Sequence, residues 1–479
     1  MNKYNWIAII IIFILILLSL LTQYSGHTDV QEYAGIAKFF SGQYKADIRA
    51  SHSMLYSYMQ APLVYLFKSI FIMKIISLIF LILIIISVYY ISGKDKKALL
   101  LMLFSPIIWY SSPWITPISL ASLFFLWGYF FLNKYEKNNK LVSLICSGLL
   151  FGLAWAFWNT TFYILFFLTI VFFFNKKFSH LVLFIFSVVL GLMPLLLFDQ
   201  IFYGLFFYSI LRHFFGVIIS SLYGGIYPGI SRATSSFLPI IIFLLMMPAF
   251  FHNLLRKDFF KENKKSIIFL ILTILFLLGN SQIRYILFFW PILILLLSKS
   301  LSEKQFKIQL IIFAVISLIV IAPYLVQIKY STNTLEFSSI FSNFGNWKLI
   351  ENENKLILQD LNQIEKEYPN QVFLVGNNPD DYEILAFLYW GNKVKEFVSI
   401  QDYQLNLQGK EILFFKTIES SPKIKDRRQI FISGGIKKSS IDNINYDSIK
   451  LAISLEKPLD LEGFEFIKKY NILYLYQKL

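Results

Sequence analysis

Apolar runs of 12 to 20 residues recur through roughly the first two-thirds of this chain, and no other property limits its fold so strongly. They occupy 6–22, 71–90, 98–109, 118–132, 141–157, 162–174, 181–198, 237–251, 267–279, 285–297 and 308–327. A hydrocarbon core ~30 Å thick requires ~20 apolar residues in a helix, so the runs predict about eleven transmembrane helices. Several are short, and 98–132 also reads as one broken hairpin. The composition agrees, with 57% hydrophobic and 15% charged residues and 51 Phe among 479 residues. That is far from a soluble average.

The formal charge of +15 would suggest nucleic acid in a soluble protein, but here Lys and Arg collect in alternate connections: 94–97, 134–140, 176–177, 256–265 and 299–307. By the positive-inside rule these are cytoplasmic, which places Lys3 inside, Asp29 outside and the C-terminal portion outside. A multi-pass cell-membrane protein with a cytoplasmic N-terminus is expected, and no nucleic-acid partner. No small-residue cleavage pattern follows Leu21, so the first run reads as an uncleaved anchor. The single Cys146 excludes an intramolecular disulfide and a Cys-based metal site.

After Lys329 the apolar runs stop and charge becomes dense. Helical spacing at 355–368, a strand-like run at 372–375, a helix at 380–390 after Asn377-Asn378-Pro379, and strand-like runs at 412–415, 430–432 and 472–476 predict an α/β domain. Val375-Gly376-Asn377 is either a ligand crevice at a strand end or plain structure. The expected organisation is a polytopic α-helical membrane protein: a transmembrane domain over 1–328, with a long first outward loop at 23–70, and an extracytoplasmic α/β domain over 329–479.

That first loop is too long for a mere connection. Val30, Tyr33, Ala34, Ala37 and Phe40 fall at helical spacing, with Glu32 and Lys38 elsewhere on the wheel, which predicts a helix lying on the membrane interface. A polar stretch containing His52 follows, then a second interfacial helix from about Leu55. Asp29 has two readings. Thr28 with Gln31 fits a capping box, and a carboxylate favours the positive end of the helix dipole; a carboxylate at the mouth of a membrane protein also suits a general base.

Two further outward elements carry polar groups. In Ser281-Gln282-Ile283-Arg284-Tyr285, Arg284 is either a snorkelling interfacial residue or a planar clamp for a phosphate. In 194–232, Asp199, Tyr203, Arg212, His213 and Arg232 stand beside Gly204, Gly224, Gly225 and Gly229, as in a loop over a phosphate-bearing ligand. Asp199 reads equally as a helix-end residue facing water, and His213 as structural.

Together, Asp29 in a long first outward loop, the Asp199 to Gly204 segment after a Pro-containing span, Ile283-Arg284-Tyr285 with Pro291, and the C-terminal outward domain resemble the GT-C superfamily of membrane glycosyltransferases. That superfamily includes protein O-mannosyltransferases, GPI and N-glycan mannosyltransferases and aminoarabinose transferases. The resemblance covers the membrane portion. It implies transfer of a sugar, with mannose as one candidate, from a polyprenyl (dolichyl or undecaprenyl) phosphate to a glycan, lipid or protein acceptor, inverting at the anomeric carbon. Asp29 would be the base and Arg284 the leading phosphate ligand. Arg212, Arg232 and Tyr285 are further phosphate candidates by position and chemistry, and Glu32, His52, Asp199, Tyr203 and His213 are substrate or acceptor candidates.

Some members have a second acidic residue after the third span, where this chain has Ser111-Ser112-Pro113-Trp114-Ile115-Thr116-Pro117. Trp158-Asn159 stands where an Arg at the outer end of the fifth span is expected. His27 and Asp29 offer two metal ligands with no obvious third, so no cofactor is implied and no divalent metal is expected. The rival class is a polytopic transporter or lipid flippase, which would place charge near the bilayer midplane; midspan charges are scarce here. A noncatalytic scaffold is the third class.

Overall fold

The computed structural model describes residues 3–21, 29–42, 48–49, 54–67, 71–174, 176–211, 213, 246–279, 285–325, 356, 359–369, 371, 373–375, 397–399, 435–436, 449–454, 461 and 463–479. The helices are α1 (Lys3–Leu21), α2 (Asp29–Phe40), α3 (Leu55–Phe67), α4 (Phe71–Ile91), α5 (Lys96–Leu103), α6 (Pro106–Ser111), α7 (Pro117–Asn138), α8 (Leu141–Phe157), α9 (Thr161–Phe173), α10 (Phe178–Tyr203), α11 (Pro248–Leu254), α12 (Lys257–Gly279), α13 (Ile286–Ser300), α14 (Glu303–Leu325) and α15 (359–367). The strands are β1 (Ile48–Arg49), β2 (Phe373–Val375), β3 (Phe397–Ser399), β4 (Gly435–Ile436), β5 (Leu451–Ser454), β6 (Phe464–Lys469) and β7 (Tyr474–Lys478). The chain divides into two compact units. One is Met1–Ser25, Lys74–Ile210 and Ser220–Gly345; the other is Gly26–Met73, Leu211–Ile219 and Asn346–Leu479.

The first unit is a membrane body. Among the described residues, three helices are long and apolar enough to cross a bilayer: Phe71–Ile91, Phe178–Phe202 and Glu303–Ile321. Each has a two-sided character that water cannot explain. On α10, Val182, Ile185, Phe186, Val189, Leu190 and Leu197 are exposed, while Phe184, Val188, Leu192 and Leu195 are buried. On α14, Ile308, Ile311, Val315, Leu318 and Ile319 are exposed in the same way. Continuous apolar stripes this large require lipid as their solvent, which makes this an integral membrane protein. Helix α13 is different, because every described side chain from Ile286 to Leu295 is buried. It is a core helix: Ser122 Oγ of α7 donates to Leu287 O at 3.1 Å, and the Phe125 and Phe288 rings meet at 4.4 Å between centroids.

The tightest helix contact is α8 against α10. Gly148 and Gly152 are spaced as a small-xxx-small pair and face Ser187 and Gly191, spaced likewise. A Cβ on Gly148 would stand 2.8 Å from Phe184 O, and one on Gly152 would stand 2.8 Å from Gly191 Cα. Only residues without a side chain allow the backbones to approach this closely.

The predicted span 98–109 is not a single helix. Asp95 caps α5 by accepting from Lys97 N at 3.0 Å, and the chain then breaks at Ser105, held extended (φ −67°, ψ 126°) by the following Pro106. Trp109 Nε1 donates to Leu103 O at 2.8 Å and Ser317 Oγ to Phe104 O at 2.8 Å, so the carbonyls freed by the break keep partners. Helices of 8 and 6 residues rise only ~12 and ~9 Å, too short to cross. The broken-hairpin reading of 98–132 describes this region better. Of the expected run 237–251, only the part from Met246 lies within the described residues.

The second unit gathers α2 and α3 with a mixed sheet of order β3-β2-β5-β7-β6. Strand β2 runs parallel to β3 and β5, and β7 is antiparallel to β5 and β6. Leu374, Ile449, Ala452, Leu461 and Tyr476 form its core, flanked by Phe464 and Tyr474. Asp360 of α15 is fully buried and accepts from the backbone N–H groups of Asn471, Ile472 and Leu473 (3.2, 2.8 and 3.0 Å) and from Asn471 Nδ2 at 2.6 Å. It pins the helix to the turn between β6 and β7. A separate two-strand pairing joins Ile48 to Ile436 and Arg49 to Gly435, so the first loop and the C-terminal region share hydrogen bonds. The expected helix 380–390 and the strands at 412–415 and 430–432 lie outside the described residues.

Candidate active site

Helix α2 begins at Asp29, and Tyr33 follows one turn later. For Asp29, Glu32 and Tyr203 the backbone alone is described, and His52, Arg212, Arg232 and Arg284 lie outside the described residues. The sequence predicted a half-exposed helix on the interface. Instead every side chain from Tyr33 to Lys38 except the glycine's is buried, Lys38 included at 3% exposure. The wheel placed Lys38 away from the apolar stripe, but tertiary packing encloses both sides of α2. Burial drives the Lys38 ammonium down from 10.5 to about 8, since leaving water penalises its charged form. Ser41 Oγ donates to Lys38 O at 2.8 Å and closes the helix end.

Helix α3 supplies the other wall. The Tyr33 and Tyr56 rings meet edge to face, with centroids 5.7 Å apart and planes at 79°, and Phe40 meets Tyr58 at 4.9 Å and 83°. Tyr56, Ser57, Gln60, Ala61 and Val64 form the buried face of α3. Ser57 Oγ and both amide atoms of Gln60 have no hydrogen-bond partner, although the two residues are 0% and 1% exposed.

The first unit holds Tyr285 and Asp199. Tyr285 precedes α13, with its ring 5.3 Å from Trp158, which itself stands 4.8 Å from Phe288. Asn159, at the turn between α8 and α9, is 5% exposed and both its amide atoms lack partners. Asp199 does not face water as one reading allowed: it is fully buried, Oδ2 accepting from Ser209 N at 2.9 Å and Oδ1 from Ser209 Oγ at 2.6 Å. These bonds brace the turn after α10, where Gly204 (φ 68°) and Phe207 (φ 67°) adopt left-handed conformations. His213, in the second unit, is half-buried.

Sequence reasoning singled out Asp29, Tyr285 and Asp199; it did not single out Tyr33, Tyr56, Ser57 and Gln60, which the structure buries together on α2 and α3. The recurrence of Tyr and Gln on the buried face of a helix meant to lie on a membrane was the available signal. Among the described residues no group of three His, Cys, Asp or Glu side chains is arranged to hold a metal ion.

No protein-family model and no curated protein matches the chain. Among solved structures, the chain is similar to the crystal structure of ArnT from Cupriavidus metallidurans bound to undecaprenyl phosphate. The TM-score is 0.61 at 13% identity, covering 100% of this chain and 99% of that one. At that identity the likeness is one of fold, and it extends over the membrane helices and the C-terminal region alike.

Proposed function

We propose that this protein is a GT-C glycosyltransferase that moves a sugar from a polyprenyl phosphate to an acceptor on the extracytoplasmic side of the membrane. The observation that carries the reading is the full-length fold likeness to ArnT, a protein whose crystal structure holds undecaprenyl phosphate. That likeness favours an undecaprenyl over a dolichyl carrier as the first donor to test. The N-terminus is cytoplasmic, 1–328 forms the catalytic membrane domain, and 329–479 stands outside.

In the proposed mechanism Asp29 takes the proton from an acceptor hydroxyl as its oxygen attacks the anomeric carbon. The bond from that carbon to the donor phosphate oxygen breaks, and its electron pair leaves with the lipid phosphate. The configuration inverts. A lipid phosphate is a good leaving group, so cationic stabilisation takes the place of a general acid. Arg284 is assigned to that anion because its always-charged fork matches two phosphate oxygens, with Arg212, Arg232 and Tyr285 as further ligands. Mannose is the finer form of the donor assignment. Glu32, His52, Asp199, Tyr203 and His213 are assigned to substrate or acceptor contact, Asp199 through the turn it braces.

The test is a donor panel. Purified protein in nanodiscs receives undecaprenyl- and dolichyl-phosphate-linked mannose, glucose, galactose and aminoarabinose with candidate glycan, lipid and peptide acceptors, and release of lipid phosphate is followed. Turnover of any donor supports the reading. Transport of solute or lipid across proteoliposomes, with no donor consumed, overturns it in favour of a transporter or flippase.

A further inference from the structure

Three polar atoms on one face of α3 have no partner inside the protein. Ser57 and Gln60 are three residues apart and therefore adjacent on the helix surface. Ser57 Oγ, Gln60 Oε1 and Gln60 Nε2 are all sealed from solvent and all unpaired. Buried polar groups in folded proteins are nearly always paired, and an orphan calls for an explanation such as a ligand, an ion or ordered water that completes it. The missing partner must have particular chemistry. The Gln60 amide offers one acceptor and two donors, and Ser57 offers both. A phosphate supplies acceptors only, so it would leave Oε1 facing an anion; an acyl chain would satisfy none of the three atoms. A group carrying neighbouring hydroxyls, each both donor and acceptor, satisfies all of them. Tyr56, one turn before Gln60, touches Tyr33, one turn after Asp29, which ties this face of α3 to the helix of the proposed base.

We infer that Ser57 and Gln60 form the subsite that recognises the hydroxyls of the transferred sugar, with Gln60 the principal selector among donors that share one lipid phosphate. This rests on the glycosyltransferase reading. Selection of this kind is steep, because a site built to pair a hydroxyl rejects a ligand lacking it.

The experiment measures binding of full-length protein in nanodiscs to undecaprenyl phosphate and to its mannose, glucose, galactose and aminoarabinose conjugates, alongside the turnover assay. Wild type should prefer one conjugate over the bare lipid phosphate. Gln60→Leu should lower that preference about 10- to 100-fold, and Ser57→Ala about 3- to 10-fold, with affinity for undecaprenyl phosphate itself unchanged. Because an orphaned amide is removed, unliganded Gln60→Leu should melt no lower than wild type; Gln60→Met provides the same test in a side chain of similar length. A preference that survives both Gln60 variants, equal weakening of bare and sugar-bearing lipid, or a lowered melting temperature in both variants overturns the subsite. Where wild type turns over a donor and any of these results is found, only the subsite falls. Absence of both donor binding and turnover removes the glycosyltransferase reading with it.

Discussion

Two buried helix pairs in this protein are built on opposite principles. Where α8 meets α10, glycines bring the backbones together and the serine at the contact is satisfied, Ser187 Oγ donating to Leu183 O at 2.8 Å. Where α2 meets α3, a buried lysine, a serine and an unpaired glutamine are enclosed with two tyrosines. The first arrangement gives lipid-embedded helices a contact that needs no hydrophobic driving force. The second leaves buried polar atoms without partners, which costs stability.

The largest expected effect separates the two pairs by function. Asp29→Asn should lower turnover about 10²- to 10⁴-fold, the usual worth of a general base, while the melting temperature holds. Equal activity in a folded variant would remove α2 from the chemistry and reduce Asp29 to a helix cap. The packing side breaks at Gly152→Leu, where even the first carbon would lie 2.8 Å from Gly191 Cα. A loss of about 3 kcal/mol, read as a fall in melting temperature in detergent, is expected.

The α2–α3 pair should also carry a pH signature. Lys38 titrates at about 8 in the folded protein against 10.5 in its absence, so between those values the unfolded chain binds more protons and stability rises with pH. The full rise is of order 3 kcal/mol, and below pH 8 the burial penalty is present in full. Lys38→Met should lose the rise; thermal melts from pH 7 to 10.5 that superimpose for the two proteins would contradict it. Asp360 completes the contrast, being a buried polar residue whose partners are all in place. Asp360→Ala strands three backbone N–H groups and should cost about 2–3 kcal/mol, seen as earlier proteolysis of the C-terminal region.

Much of the membrane body was legible because lipid imposes a simple rule of length and apolarity. Runs 71–90, 141–157 and 181–198 correspond to α4, α8 and α10 within a few residues. The break in 98–109 was harder to see, since Ser105-Pro106 sits inside an unbroken apolar run whose burial comes from α13 and α14. In the C-terminal region, 372–375 and 472–476 anticipated β2 and β7, while β5 pairs with β2 across about 75 residues of sequence and β6 pairs locally with β7. Asp29, Asp199 and Tyr285 stood out in the sequence as polar residues at helix ends. Lys38, Ser57 and Gln60 did not, because a helical wheel has no knowledge of a second covering helix.

By itself the sequence determined the membrane class and the helical character of its body, since apolar length and helical spacing are local properties. Only the tertiary structure decided which of those helices face lipid and which lie in the core, that Asp199 is enclosed, and that Ser57 and Gln60 are left unpaired. Burial and the absence of a partner depend on everything that surrounds a side chain, and those neighbours come from distant parts of the chain.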